Sequence, residues 1–165
     1  MSETATCKRP RVMVVDDHLS MAEMLADGLN EKGFDAVALA SSGEAATRLG
    51  ENSFDALVTD LRMPDVDGLE LLKISRVSAP GRPVIVMTAC SALESAIESI
   101  RQGASHYLTK PFKLDELVLF LNRALDDSRL RREPVHRGVS LETRPGYQNT
   151  GLAPPTGSES EGHDS

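Results

Sequence analysis

Five short apolar runs alternate along the chain with segments in which apolar residues recur at intervals of three and four. The runs occupy residues 12–15, 36–39, 56–58, 84–87 and, more weakly, 106–109 (HYLT). Between them come Ala22, Leu25 and Leu29, then Leu69, Leu72 and Ile74, then Leu93, Ala96, Ile97 and Ile100, then Leu114, Leu117, Val118, Leu121 and Leu125, read as four helical segments. A short Ala-rich stretch over residues 42–50 supplies the remaining helix, so a β-then-α unit is expected five times. Strands that are apolar throughout, joined by helical crossovers of about a dozen residues, predict a parallel sheet covered on both faces, with right-handed crossovers. Gly33, Gly50 and Gly103 fall where helices should stop, and Ser41 or Ser42, followed by Glu44 or Ala45, offers a start for the second helix. The expected fold is a doubly wound α/β domain on a five-stranded parallel sheet.

In such sheets ligands bind outside the carboxyl ends of the strands. Asp16 and Asp17 directly follow the first run, Asp60 follows the third, Thr88 ends the fourth and Lys110 follows the fifth. An Asp after a strand commonly serves a turn or a helix cap, and a Lys before Pro is commonly a solvated charge. Polar residues from four strands converging on one edge point instead to a site. Adjacent carboxylates at the rim of an apolar core repel each other unless a cation or hydrogen bonds compensate. Carboxylates suit a hard cation such as Mg²⁺, while an ammonium and a hydroxyl suit the oxygens of a transferring phosphoryl group.

Charge and composition narrow the alternatives. A formal net charge of −7 argues against a general nucleic-acid binder, and Cys7 and Cys90 have neither disulfide-framework nor zinc spacing. No apolar run has the length of a signal peptide core or a membrane span, so a cytoplasmic protein with no membrane contact is expected. Thirteen of the residues 134–165 are Pro, Gly or Ser, a composition too poor in large apolar residues to offset ordering entropy. The expected organisation is a loose arm over residues 1–10, a folded domain over 11–127, and a helix extension with a disordered tail over 128–165. The last helix is expected to run on to Glu133, with Arg129, Arg131 and Arg132 suiting its C-terminus. The tail holds no helix-turn-helix pattern, so direct DNA binding by this chain is not expected.

The motifs VVDDH, VTDLRMPDVDGLELL, VIVMTA and LTKPF, in that order, resemble the receiver domains of bacterial two-component response regulators over residues 11–126. DLRMPDVDGLELL and the extended last helix are most similar to the receivers of enhancer-binding regulators. The resemblance implies the flavodoxin-like (βα)5 fold and a phosphoacceptor at Asp60. Asp17 and Asp60 would ligate Mg²⁺ or Mn²⁺, Asp16 would help through a water, and the backbone carbonyl of Arg62 would add a ligand. Lys110 would contact the phosphoryl oxygens, with a cis bond to Pro111. Thr88 and Tyr107 would form the switch pair. Ala89 would keep the site open, Met63, Pro64 and Gly68 would shape the loop after the acceptor strand, and Gly68 is expected to need positive φ. Arg62 and Cys90 would tune phosphoryl lifetime; Cys90 otherwise reads as a small semi-buried residue.

The resemblance further implies that the donor is a sensor histidine kinase or phosphotransfer protein, consistent with the absence of a GxxxxGK[ST] loop. His18, His106, His136 and His163 have no phosphotransfer context, and His18, beside Asp17, reads as a solvent-facing loop residue. The output is expected to be contacts with a downstream protein through the fourth helix, fifth strand and fifth helix, with a phosphorylation-dependent homodimer through the long last helix as a further route. A fragment of a larger transcriptional regulator is the alternative. An aspartyl-phosphate hydrolase of the haloacid dehalogenase type is disfavoured, since Arg62 stands where that family carries its second acid. No turnover of a separate substrate is expected.

Overall fold

A computed structural model describes residues 8–51, 53–89 and 93–132. Its elements are β1 (Arg11–Val15), α1 (Leu19–Glu31), β2 (Asp35–Leu39), α2 (Ser42–Leu49), β3 (Ala56–Asp60), α3 (Gly68–Ser78), β4 (Val84–Thr88), α4 (Leu93–Arg101), β5 (His106–Thr109) and α5 (Leu114–Arg132). The strands form one parallel sheet in the order β2-β1-β3-β4-β5. This is the flavodoxin-like order, whose topological switch point lies between β1 and β3. The expectations for Cys90 and for residues 1–7 and 133–165, Glu133 included, lie outside the described residues. Among those residues, no helix is long and apolar enough to cross a membrane.

Alternation along the strands divides the interior into two cores. Val12, Val14, Val58, Ile85, Met87 and Leu108 face α1 and α5, where they meet Leu25, Leu29, Leu117 and Leu121. Met13, Val15, Leu57, Val84 and Val86 face the other way, against Leu49 of α2 and Leu71 and Leu72 of α3. Because both faces are covered, β3 and β4 are buried along their whole length.

Helix ends follow local chemistry. The Ser41 hydroxyl accepts the Glu44 N–H at 3.2 Å and opens α2, and the Asp67 carboxylate accepts the Glu70 N–H at 2.9 Å and opens α3. Gly33 and Gly103, at φ 100° and 105°, turn the chain after α1 and α4.

Several sequence expectations are corrected. In α3 the fully buried positions are Leu71, Leu72 and Ser75, while Leu69 and Ile74 are only partly covered. Ile97 and Ile100 of α4 are 45% and 51% exposed, and the small Ser99 occupies the buried line. Helix α4 packs against β5 at the edge of the sheet, which leaves both isoleucines outside the two cores, while the burial of Leu93 lies outside what is described. The apolar spacing of α5 continues in sequence to Leu130, but apolar burial ends at Leu125: Leu130 is exposed, and the next buried position is Ser128, whose hydroxyl donates to the Gly81 carbonyl at 2.6 Å.

Arg82, just before β4, gave no sequence signal yet is buried. Its guanidinium donates to the Phe54 carbonyl at 3.1 Å and to the Ser75 hydroxyl at 3.1 Å, tying the loop before β3 to α3. Those bonds offset the cost of removing the charge from water.

Gly68 is required for a reason other than the one the motif suggested. The positive φ in this loop belongs to Asp65, at 68°. A Cβ on Gly68 would stand 2.4 Å from the Asp60 carbonyl oxygen and 2.8 Å from the Leu61 Cα, so α3 starts in backbone contact with the end of β3. Gly68→Ala should therefore destabilise the fold by about 1–3 kcal/mol. Gly43→Ala, whose Cβ meets only the Ser41 hydroxyl at 3.8 Å, should be neutral or stabilise by up to about 1 kcal/mol. Urea denaturation of the two variants checks the contrast, and equal effects would refute the close-approach explanation.

Candidate active site

The carboxyl ends of β1, β3, β4 and β5 deliver the sequence-predicted residues to one rim. Asp16 follows β1, and its backbone N–H donates to Leu39 of β2 at 3.1 Å, so the neighbouring strand sets its position. Its side chain is fully buried, with both oxygens engaged. Oδ2 accepts the Lys110 ammonium at 2.7 Å, and Oδ1 accepts the His18 backbone N–H at 2.9 Å. Asp17 is more open, its side chain 31% exposed.

Asp60 is the last residue of β3 and is buried. Its Oδ1 accepts the Leu61 N–H at 3.0 Å and lies 3.6 Å from the Lys110 ammonium. Lys110 follows β5; its backbone N–H donates to the Thr88 carbonyl at 2.7 Å, and its bond to Pro111 is cis, as expected. One ammonium thus stands between two buried carboxylates. Sequence reasoning gave Lys110 to an incoming ligand and missed this resident pairing. The available signal was the imbalance itself, three carboxylates and one Lys at one edge.

Burial is the largest influence on Asp60 and raises its pKa above the ordinary value of 3.8. Asp16 and Asp17 push the same way, while Lys110 and the Leu61 N–H oppose without cancelling the rise.

Thr88 ends β4 almost fully buried, and with His18, Asp60, Arg62, Ala89 and Lys110 it lines an open cleft of about 500 Å³. Tyr107 of β5 pairs with Val86, two residues before Thr88, so Tyr107 and Thr88 share one face of the sheet. Its ring is half-buried against the second core. Arg62 is exposed at the rim of the cleft, and Met63 packs partly against the second core.

Ser42 is a further residue that sequence reading assigned only to a helix start. Its buried hydroxyl donates to the Pro64 carbonyl at 3.0 Å and accepts the Val66 N–H at 3.2 Å, bracing the loop that carries Arg62 and Met63. His18 is solvent-facing as read, its side chain 77% exposed, but its Nδ1 lies 3.4 Å from a carboxylate oxygen of both Asp16 and Asp17. Ligand atoms of Asp16, Asp17 and His18 all lie within 4.8 Å of one another.

Residues 12–122 match the family described as response regulator receiver domain. The chain is 38% identical to the DNA-binding transcriptional regulator NtrC of Proteus hauseri over 127 residues, which cover 77% of this chain and 27% of that protein. It therefore spans little more than a quarter of that relative's length. The receiver domain of the Francisella response regulator 1452 superposes with a TM-score of 0.68 at 35% identity, over 73% of this chain and 99% of that one. The beryllofluoride-activated NtrC4 receiver domain dimer gives a TM-score of 0.68 at 31% identity, over 72% of this chain and 98% of that one. With its sheet order, its acidic rim and these likenesses taken together, the chain belongs to the response regulator receiver domain family, on the NtrC-like side of it.

Proposed function

We propose that Asp60 is the phosphoacceptor of a cytoplasmic signalling switch, charged by a phosphohistidine on a sensor kinase or phosphotransfer protein in the presence of a divalent cation. The observation that supports this most is the shared ammonium: Lys110 reaches Asp16 and Asp60 together, leaving Asp17 open beside them. With all three carboxylates ionised, the set carries two negative charges beyond what Lys110 compensates, which suits a dication. An all-oxygen set drawn from Asp16, Asp17, Asp60 and the Arg62 carbonyl fits Mg²⁺ or Mn²⁺. When bound, the cation supplies neutralisation of the charge on the transferring group.

The chain's own residues do the rest. An Asp60 carboxylate oxygen attacks phosphorus as the P–N bond of the donor breaks, and that electron pair returns to the donor imidazole, leaving an acyl phosphate on Asp60. Lys110 turns from Asp16 to the phosphoryl oxygens. The Thr88 hydroxyl donates to one of them, and the Tyr107 ring moves inward on the same sheet face, a two-state packing change biased by local charge. We take the receiver as residues 11–127, with α5 continuing beyond it.

Output would pass through α4, β5 and α5, where Ile97, Ile100 and Leu119 are exposed. The activated NtrC4 receiver is a dimer, which favours a phosphorylation-dependent homodimer as one form of that output. Since the chain spans 27% of NtrC, output through a further segment of a longer transcriptional regulator is the second reading.

Asp60→Asn should abolish the gain of one phosphoryl mass seen in the wild type with a small phosphodonor and Mg²⁺; equal labelling of the variant would overturn the assignment. The same substitution should stabilise the cation-free protein. Asp60 has a raised folded pKa, so its ionisation lowers stability as pH rises from the unfolded value near 3.8 through the folded one. The advantage of Asp60→Asn in thermal denaturation should therefore appear as pH rises through that window and vanish below it. Lys110→Met should slow phosphorylation at least about tenfold. It should also tighten Mg²⁺ binding, because a resident cation has been removed, and Mg²⁺ titrations of the two proteins test this directly; weaker binding would contradict it.

A further inference from the structure

His18 forms the N-cap of α1, yet its imidazole makes no capping bond to the helix. Its backbone N–H is committed to Asp16 Oδ1 at 2.9 Å, which fixes the residue against the acidic pair. Nδ1 then lies 3.4 Å from Asp16 Oδ1 and 3.4 Å from Asp17 Oδ1. That spacing exceeds the roughly 2.7–3.2 Å of an N–H···O hydrogen bond. It is close to the separation of about 3 Å between adjacent ligands on a six-coordinate cation with bonds near 2.1 Å. The ring borders the cleft that holds Asp60, Thr88 and Lys110, and its 77% exposure leaves room to turn toward a cation there.

Oxygen ligands alone suit Mg²⁺, whereas imidazole suits borderline first-row dications, whose affinities rise toward the end of the series. We propose that His18 is a ligand of the cation bound at Asp16 and Asp17, and that it biases this receiver toward transition-metal dications such as Co²⁺, Ni²⁺ and Zn²⁺ over Mg²⁺. The inference rests on the cation site of the phosphoacceptor reading and adds to it a nitrogen donor and a metal preference. With Mg²⁺ the ring stays in water and the oxygens carry the site. With Ni²⁺ or Zn²⁺ the Nδ1 lone pair would add a nitrogen donor to the carboxylate oxygens of Asp16 and Asp17.

Calorimetric titrations of the whole chain with MgCl₂ and with NiCl₂, on the wild type, His18→Ala and Asp17→Asn, separate the contributions. Ni²⁺ binding that survives when Asp17→Asn and His18→Ala are combined comes from other groups and is subtracted. Losing His18 should weaken the remaining Ni²⁺ affinity by about tenfold or more and leave Mg²⁺ affinity within about twofold. The unchanged Mg²⁺ affinity also reports that the variant is folded. In ¹⁵N-histidine spectra, Zn²⁺ should shift His18 Nδ1 and Mg²⁺ should not. A Ni²⁺ to Mg²⁺ affinity ratio equal in His18→Ala and the wild type, or a His18 Nδ1 unmoved by bound Zn²⁺, overturns the proposal while leaving the phosphoacceptor reading intact. Failure of both metals to bind through Asp17 overturns both.

Discussion

The Lys110 ammonium, 2.7 Å from Asp16 and 3.6 Å from Asp60, holds together a site that would otherwise push itself apart. Three carboxylates crowd one edge of the sheet, and two of them, Asp16 and Asp60, are buried where water screens little. One ammonium offsets part of this charge and no more. The elevated pKa of Asp60 is the visible residue of that imbalance, since burial and two carboxylate neighbours outweigh Lys110 and a backbone N–H. Such a site favours whatever brings positive charge to it, and a dication followed by a phosphoryl group is the sequence of events the chemistry suits.

The fold makes this imbalance tolerable by fixing its members with backbone bonds. Asp16 is pinned through β2, Lys110 through the Thr88 carbonyl and Asp60 by the Leu61 N–H. All strands run parallel, so Asp16, Asp60, Thr88 and Lys110 all emerge at the same end of the sheet, and the switch point between β1 and β3 opens the space they share. The loop after Asp60 is braced by Ser42 and is joined to α3 by a contact that only Gly68 admits. Stability elsewhere, in two apolar cores and the buried Arg82, supports a rim that is electrostatically costly on its own.

The strands and their alternation with helices could be read from the sequence because both depend on local periodicity. Continuous apolar runs and the position of Asp16, Asp17, Asp60, Thr88 and Lys110 after them leave little freedom in where those side chains emerge. Pairings between distant residues were less accessible. Lys110 and Asp16 lie 94 positions apart, and periodicity reports faces rather than side-chain directions. Gly68 was assigned a conformational role, whereas its constraint is a steric contact with another segment's backbone. The apolar spacing of α4 pointed Ile97 and Ile100 inward, but the edge position of that helix leaves both exposed. Arg82 carried no pattern at all, since a single Arg before a strand looks like any solvated charge until its hydrogen-bond partners are known.

The most direct measurement of the central claim is a Mg²⁺ titration of ¹⁵N-labelled protein, with proton release recorded in parallel at a pH where Asp60 is partly protonated. Saturable amide shifts centred on Asp16, Asp17 and Asp60, accompanied by release of a fraction of a proton, are the predicted result. Absence of both the amide shifts at these residues and the proton release would contradict the view that this acidic rim is held in readiness for a dication.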